Sequence, residues 1–260
     1  MTETVGRGPA RRPDGLAPAA FLLGFALSGF FDGILLHQIL QWHHLLSALG
    51  HDLRFQVVAD GWFHAGMYVV AALGLRRLWH ARGALDAPGA GRTLRAWGLT
   101  GFGAWHRVDA VGSHWLLGLH RIRMDAANPL MWDLAWAGAF GLAPLLIGFW
   151  IGRSGGPGRP RGTAALLALA TLGAAAWAAA PAPGRDVTTV AFAPAVPPAA
   201  AFSAAAGAGR GIMWADEGEG VFVVADVSPR EALGLYRRGA LFVGGAGLPQ
   251  GCLGWSREGA

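Results

Sequence analysis

The sequence predicts a membrane all-α helical bundle, a four-helix core plus a fifth transmembrane helix, followed by a small α+β ferredoxin-like (βαββαβ) soluble domain. Three observations carry that expectation. Only 14% of the 260 residues are charged, against about 25% in a typical soluble domain. Five stretches are apolar over the ~20 residues that a bilayer crossing needs. The last seventy-odd residues change character, to short β-branched runs separated by turn residues.

The first helix is expected over Ala17–Gln41, and three more over Val57–Leu78, Ala96–Leu119 and Pro129–Gly152. These four contain polar groups. The fifth, Thr163–Pro181, is Ala-rich and bland. Pro144 is expected to kink the fourth. Gly29 and Gly33 form a small-xxx-small pair that lets a neighbouring helix approach beside Asp32. The N-terminal stretch reads as a retained helix rather than a cleaved signal, because its apolar run is too long and holds Asp32 and His37. The small residues Ala178-Ala179-Ala180 read as an Ala-rich helix end.

The organisation that follows is a cytoplasmic tail at 1–16, a four-helix domain at 17–152, a basic linker at 153–162, a fifth helix at 163–183 and an extracytoplasmic α+β domain at 184–260. Arginine sets the orientation. Arg7, Arg11, Arg12, Arg76, Arg77, Arg82, Arg92, Arg95, Arg153, Arg159 and Arg161 fall on one side, and Arg54, Arg121 and Arg123 on the other. The first side is expected to be the cytoplasm, which puts the tail domain in the periplasm of a bacterial inner membrane. Trp42, Trp62, Trp115 and Trp132 fall near the outer boundary, as an aromatic belt does.

In the tail, Val187–Ala193 reads as a strand and Pro197–Gly207 as a helix. Gly211–Ala215 and Val221–Val227 read as strands around an acidic turn. Ser228-Pro229-Arg230-Glu231 has the form of a capping box that starts a helix running to about Arg238. Leu241–Gly244 closes the order βαββαβ.

Composition also excludes some functions. The net charge of +5 comes from Arg alone and is scattered through loops, so no nucleic-acid partner is expected. The single Cys252 rules out an internal disulfide or an all-cysteine metal site. The Gly-rich run Gly244–Gly247 precedes no helix and is a poor phosphate loop.

The chemistry concentrates in the histidines. All nine lie between His37 and His120, and ionisable groups at bilayer depth usually serve a function. On a continuous helix His37, Gln41 and His44 share one side, with Asp32 and His43 together on another, about 16 Å apart along the axis. Asp60 and His64 are neighbours one turn apart. His106, Asp109, Ser113 and His120 form a stripe on the third helix, with His114 on a separate side. Asp133 lies near the outer end of the fourth. Imidazole with carboxylate suits Zn, Cu, Fe or Ni, and histidines from separate helices also hold haem. The expected metal ligands are His37, His43, His44, His64, His114, His120, Asp60 and Asp109, with His37, His44, His114 and His120 the cofactor-binding candidates. Asp32, Gln41, His106 and Asp133 complete a polar network. His51 and His80 are weak candidates.

The stretches FFDGILLHQILQWHH (Phe30–His44), ADGWFHA (Ala59–Ala65) and SHWLLGLHRIR (Ser113–Arg123) resemble an uncharacterised bacterial family of predicted four-helix integral membrane proteins, a domain of unknown function. The resemblance covers about Ala19 to Trp150. It implies family positions at Asp32, His37, Gln38, Gln41, Trp42, His43, His44, Asp60, His64, Asp109, His114, His120 and Asp133. The third motif departs from the family, which tends to have an acid at Ser113 and histidines at Trp115 and Arg121. The resemblance further implies a copper- or haem-related role beside respiratory oxidase assembly factors.

Three functions are therefore weighed. The first is metal (copper favoured) or haem binding near the periplasmic side, with an oxidase, an assembly factor or a second copy of the chain as partner. The second is a proton or small-solute transporter using Asp32 and Asp109, although four helices are few and no inverted repeat is visible. The third is a scaffold with a periplasmic interaction domain. No residue is identifiable as a nucleophile or general base, so an enzymatic role is left open.

Overall fold

The computed structural model describes residues 15–49, 53–154, 159–179, 187–216, 218 and 220–244. Arg7, Arg11, Arg12, His51, residues 155–158 of the basic linker, Ala180, Gly245–Gly247 and Cys252 lie outside the described residues. The first helix, α1, spans Leu16–Asp32 and continues as a π-helical segment, Gly33–Ile39. Next comes α2, Leu53–His80. The third, α3, spans Ala90–Val108 and runs into a second π segment, Asp109–Leu116. Then α4 (Pro129–Trp136), a π segment (Ala137–Leu142) and α5 (Ala143–Arg153) form one interrupted helix, and α6 spans Pro160–Ala179. Pro144 is the second residue after that last π segment. A proline cannot donate a helical hydrogen bond and its ring crowds the preceding turn, which a widened turn relieves.

Among the described residues, four helical stretches are long and apolar enough to cross a membrane: Leu16–Ile39, Leu53–His80, Pro129–Arg153 and Pro160–Ala179. The expected third span, on the continuous helix Ala90–Leu116, is not among them. It carries Arg92, Arg95, Arg107 and Asp109.

The chain forms two compact units. The first comprises Met1–Gly29, Met67–Asp109 and Ala135–Gly173. Leu16, Ala20, Ala90, Leu94 and Ala164 form its buried apolar cluster. Here α1 and α3 touch backbone to backbone. A Cβ on Gly24 would collide with the Gly98 carbonyl oxygen, and one on Gly101 with that of Phe21. Small residues allow such approach, and packing then replaces the hydrophobic drive that lipid cannot supply. Thr171 Oγ1 bonds to the Leu167 carbonyl at 2.8 Å and reaches that of Leu23 at 3.4 Å. Gly29 lies against Met67 of α2, the close approach expected for that glycine.

The second unit comprises Phe30–Gly66, Ala110–Leu134 and Ala174–Ala260. Its tail holds β1 (Val187–Phe192), α7 (Pro198–Ala206), β2 (Gly211–Ala215), β3 (Val221–Ala225), α8 (Pro229–Arg237) and β4 (Ala240–Gly244). The strands form one sheet in the order β2-β3-β1-β4, antiparallel throughout. On one side Val190, Phe192, Phe222 and Val224 pack with Leu235 of α8 and the alanines of α7. On the other, Ala191 and Val221 pack with Leu53 and Val57 of α2. Burial on both sides explains why β3 reads as a continuous apolar run rather than an alternating one. The expected capping box is present: Ser228 accepts the Glu231 backbone N–H, and the Glu231 carboxylate accepts that of Ser228.

Candidate metal centre

The second unit gathers histidines from its two π-turned segments and their following loops, with an aspartate from α2 and another from α4. A π-helix bonds residue i to i+5, and the first π segment sets His37 five residues after Asp32. An α-helix would turn that pair away from each other. The chain then leaves the helix. Gln41 has φ 54°, in the left-handed region that few non-glycine residues adopt, and its Nε2 bonds to the Gln38 carbonyl.

This overturns the expected helical side of His37, Gln41 and His44, because His43 and His44 lie beyond the helix end. It also removes the expected 16 Å between Asp32 and His43. The widened turns and the reversal at Gln41 fold the loop back, so that Asp32, His37 and His43 each offer a ligand atom within 4.8 Å of the others. All three are buried.

The stretch 109–120 repeats the arrangement. The stripe expected on helix 3 is likewise broken, since the helix ends at Leu116 and Gly118, with φ 62°, reverses the chain. Asp109 and His114 stand at the same five-residue spacing on the π segment. With His120 they form a second group whose ligand atoms lie within 4.8 Å of one another.

The ring nitrogens are held in one sense. His43 Nδ1 is 2.9 Å from the Ile122 carbonyl oxygen, and His120 Nδ1 is 2.8 Å from that of Leu45. A carbonyl only accepts, so each of these Nδ1 atoms carries a proton, and in the neutral imidazole Nε2 then carries the lone pair. His44 Nδ1 is 2.6 Å from Asp60 Oδ2, and His37 Nδ1 faces Asp60 Oδ1 at 3.3 Å. His114 Nδ1 faces Asp133 Oδ1 at 3.1 Å. Both aspartates also fix the loops, Asp60 by accepting the Leu45 N–H and Asp133 by accepting that of Ile122. Arg121 donates to Asp133 Oδ2 at 2.7 Å. It stands where the resemblance expects a histidine.

The imidazoles touch one another. The His37 and His43 ring centroids are 4.8 Å apart, those of His114 and His120 4.7 Å, and those of His43 and His120 4.4 Å and nearly parallel. Tight clustering of imidazoles with four carboxylates suits a metal site, in which a second partner on Nδ1 orients the ring and raises the basicity of Nε2.

Other expected residues fall elsewhere. The His64 imidazole turns back on its own helix, Nδ1 being 3.0 Å from the Asp60 carbonyl, and lies against Gly33 and the Phe63 ring. His106 belongs to the first unit. There its Nδ1 accepts from Trp136 Nε1 at 3.1 Å, so it carries its proton on Nε2, opposite to His43 and His120. Gln41 serves the turn. Asp32 and Asp133, expected only in a supporting network, stand in the ligand groups and as an anchor respectively. The five-residue Asp–His spacing, out of phase with an α-helix and in phase with a π-helix, is the signal that finds Asp32. The carbonyls of Leu45 and Ile122 leave no signal, since any residue supplies a carbonyl.

The model of a family described as predicted membrane protein (DUF2243), a domain of unknown function, matches residues 19–155, more than half of the chain. Comparison with curated proteins and with solved structures finds no match.

Proposed function

Because the chain belongs to the DUF2243 family of predicted membrane proteins, we propose that its function is to bind a first-row transition metal inside the membrane, through histidine Nε2 atoms and the carboxylates that lead into the two π segments. The observation that carries this reading is the common anchoring of five imidazoles through Nδ1, two on carbonyls and three towards Asp60 or Asp133. A purely structural network has no need to aim every ring the same way. The donor set of imidazole and carboxylate, without thiolate, suits Cu(II), Fe or Zn. Copper leads, because N/O sites favour it among divalent ions. A haem fits less well, since imidazoles in ring-to-ring contact leave no gap for a macrocycle.

The further placement is part of the same proposal. The N-terminus is cytoplasmic, the centre lies near the periplasmic side of the inner membrane, and the tail is a periplasmic domain of ferredoxin-like topology, a reading its strand order supports. A partner in respiratory oxidase assembly fits a copper site there.

The test is elemental analysis of protein purified in detergent without affinity metals, then stripped and reloaded with Cu(II). Binding that survives a competing chelator, and is reduced in His37→Ala with His43→Ala, is expected. A wild-type protein that takes up no Cu(II), Fe(II) or Zn(II) after stripping would overturn the reading.

A further inference from the structure

The two ligand groups are copies of one another. Asp32, His37 and His43 recur as Asp109, His114 and His120, each 77 residues further along. Both therefore read D-x4-H-x5-H. The same shift relates the π segments, the left-handed residues Gln41 (φ 54°) and Gly118 (φ 62°), and the turn bonds that follow. Leu40 N–H bonds to Leu35 and Leu117 N–H to Gly112; Trp42 N–H bonds to Leu36 and Leu119 N–H to Ser113. The ring pairs agree in distance and angle, 4.8 Å and 73° for His37 with His43 against 4.7 Å and 70° for His114 with His120.

The contacts between the two copies are reciprocal. His43 donates to the carbonyl two residues after His120, and His120 to the carbonyl two residues after His43. The equivalent carbonyls of Trp42 and Leu119 accept from Met124 and Ala48 of the opposite loop. Asp60 holds the first loop as Asp133 holds the second, through the Leu45 and Ile122 N–H groups. His44 and Arg121, again 77 apart, both reach the second carboxylate oxygen. So a pseudo-twofold relation survives in the fold after most side chains have diverged.

From this we infer that the centre holds two metal ions, one in each Asp–His–His copy, with the stacked His43 and His120 rings between them. The inference rests on the metal-binding reading above and adds stoichiometry and symmetry. Two histidines and one carboxylate leave coordination positions open for a small exogenous ligand, and two such sites side by side would allow that ligand to bridge. The substitution of Arg121 for a second imidazole makes the later copy the more positive of the two. Weaker cation binding at the His114 copy is therefore expected.

The experiment is a Cu(II) titration of the stripped full-length protein, with bound metal counted after desalting. Two equivalents per chain are expected in wild type, about one in His37→Gln, about one in His114→Gln and none in the double variant. One equivalent in wild type, abolished by either change, would mean a single shared site and would overturn this inference while leaving metal binding intact. No bound equivalent would overturn both. The wild-type count decides even where a variant fails to fold.

Discussion

His43 and His120 stack ring on ring at 4.4 Å, and each is within hydrogen-bond distance, through Nδ1, of a carbonyl of the loop that carries the other. Each imidazole is therefore both a potential ligand and a tie between two loops. Removing one leaves a buried carbonyl without its donor, a loss of about 1–3 kcal/mol. Removing the second costs less than the first, since the loops are already untied. We expect His43→Ala and His120→Ala each to lower the unfolding midpoint, and the double variant to show a coupling of about 0.5–3 kcal/mol. Chemical denaturation of the stripped protein in detergent checks this without metal in the balance. Strictly additive losses would contradict the reciprocal tie.

Asp60 serves His37, His44 and the Leu45 N–H with two oxygens. Asn keeps one acceptor oxygen and replaces the other by a donor, which opposes an Nδ1–H. Asp60→Asn should release at least one ring and weaken metal binding by roughly 10–100-fold, the usual cost of losing a partner behind a ligating histidine. Competition against a chromophoric chelator measures it. An unchanged affinity would show that the carboxylate does not orient the ligands.

His106 offers the contrast. Its Nδ1 accepts from Trp136, among Phe102 and Phe140, so its protonated Nε2 is not available as a ligand in that tautomer. His106→Leu should leave the bound-metal ratio unchanged while lowering stability by about 1–3 kcal/mol, from the orphaned indole N–H. Loss of metal in this variant would assign His106 to the centre.

Much of this was legible in the residues. The six short elements of the tail follow the alternation of apolar runs and turn residues, and the Ser228/Glu231 box marks its helix start. The concentration of Asp and His between Asp32 and His120 pointed to a polar site. What pattern reading missed was the local geometry. Heptad-like reasoning puts His37, Gln41 and His44 on one side, but the helix widens at Gly33–Ile39 and ends before Gln41. A change from 3.6 residues per turn moves every later side chain, and no composition rule reports it. Nor does sequence reveal that Leu53 and Val57 of a predicted membrane helix cover the tail's sheet, since their apolarity is equally suited to lipid.

Gly24 meets the Gly98 carbonyl at the crossing of α1 and α3. Neither group is a flexible side chain, so an added methyl can be accommodated only by moving one helix away from the other. Gly24→Ala is expected to destabilise by about 1–3 kcal/mol or more, the range for overpacking. Gly66→Ala is the control, because a Cβ there meets nothing within 4 Å and alanine favours a helix interior. Thermal unfolding of the two variants side by side should give a large drop for the first and little change or a gain for the second.

The capping box gives the tail an acid-sensitive element. The Glu231 carboxyl is held below its ordinary 4.5 by hydrogen bonds from Ser228, first the hydroxyl and then the backbone N–H, and from the Gly209 N–H. A group whose folded pKa is depressed adds stability that is fully present above the unfolded value. That stability fades as pH falls through the folded value. Stability of the tail should therefore be flat near neutrality with respect to this group and decline below about pH 4.5, where protonation removes the acceptor that holds Ser228. Glu231→Gln should flatten part of that decline, while Ser228→Ala should weaken the helix start at neutral pH as well. Amide hydrogen exchange over Pro229–Arg237 in the full chain, followed from pH 7 to pH 3.5, reads the difference. Equal acid sensitivity in wild type and Glu231→Gln would show that the box contributes nothing to it.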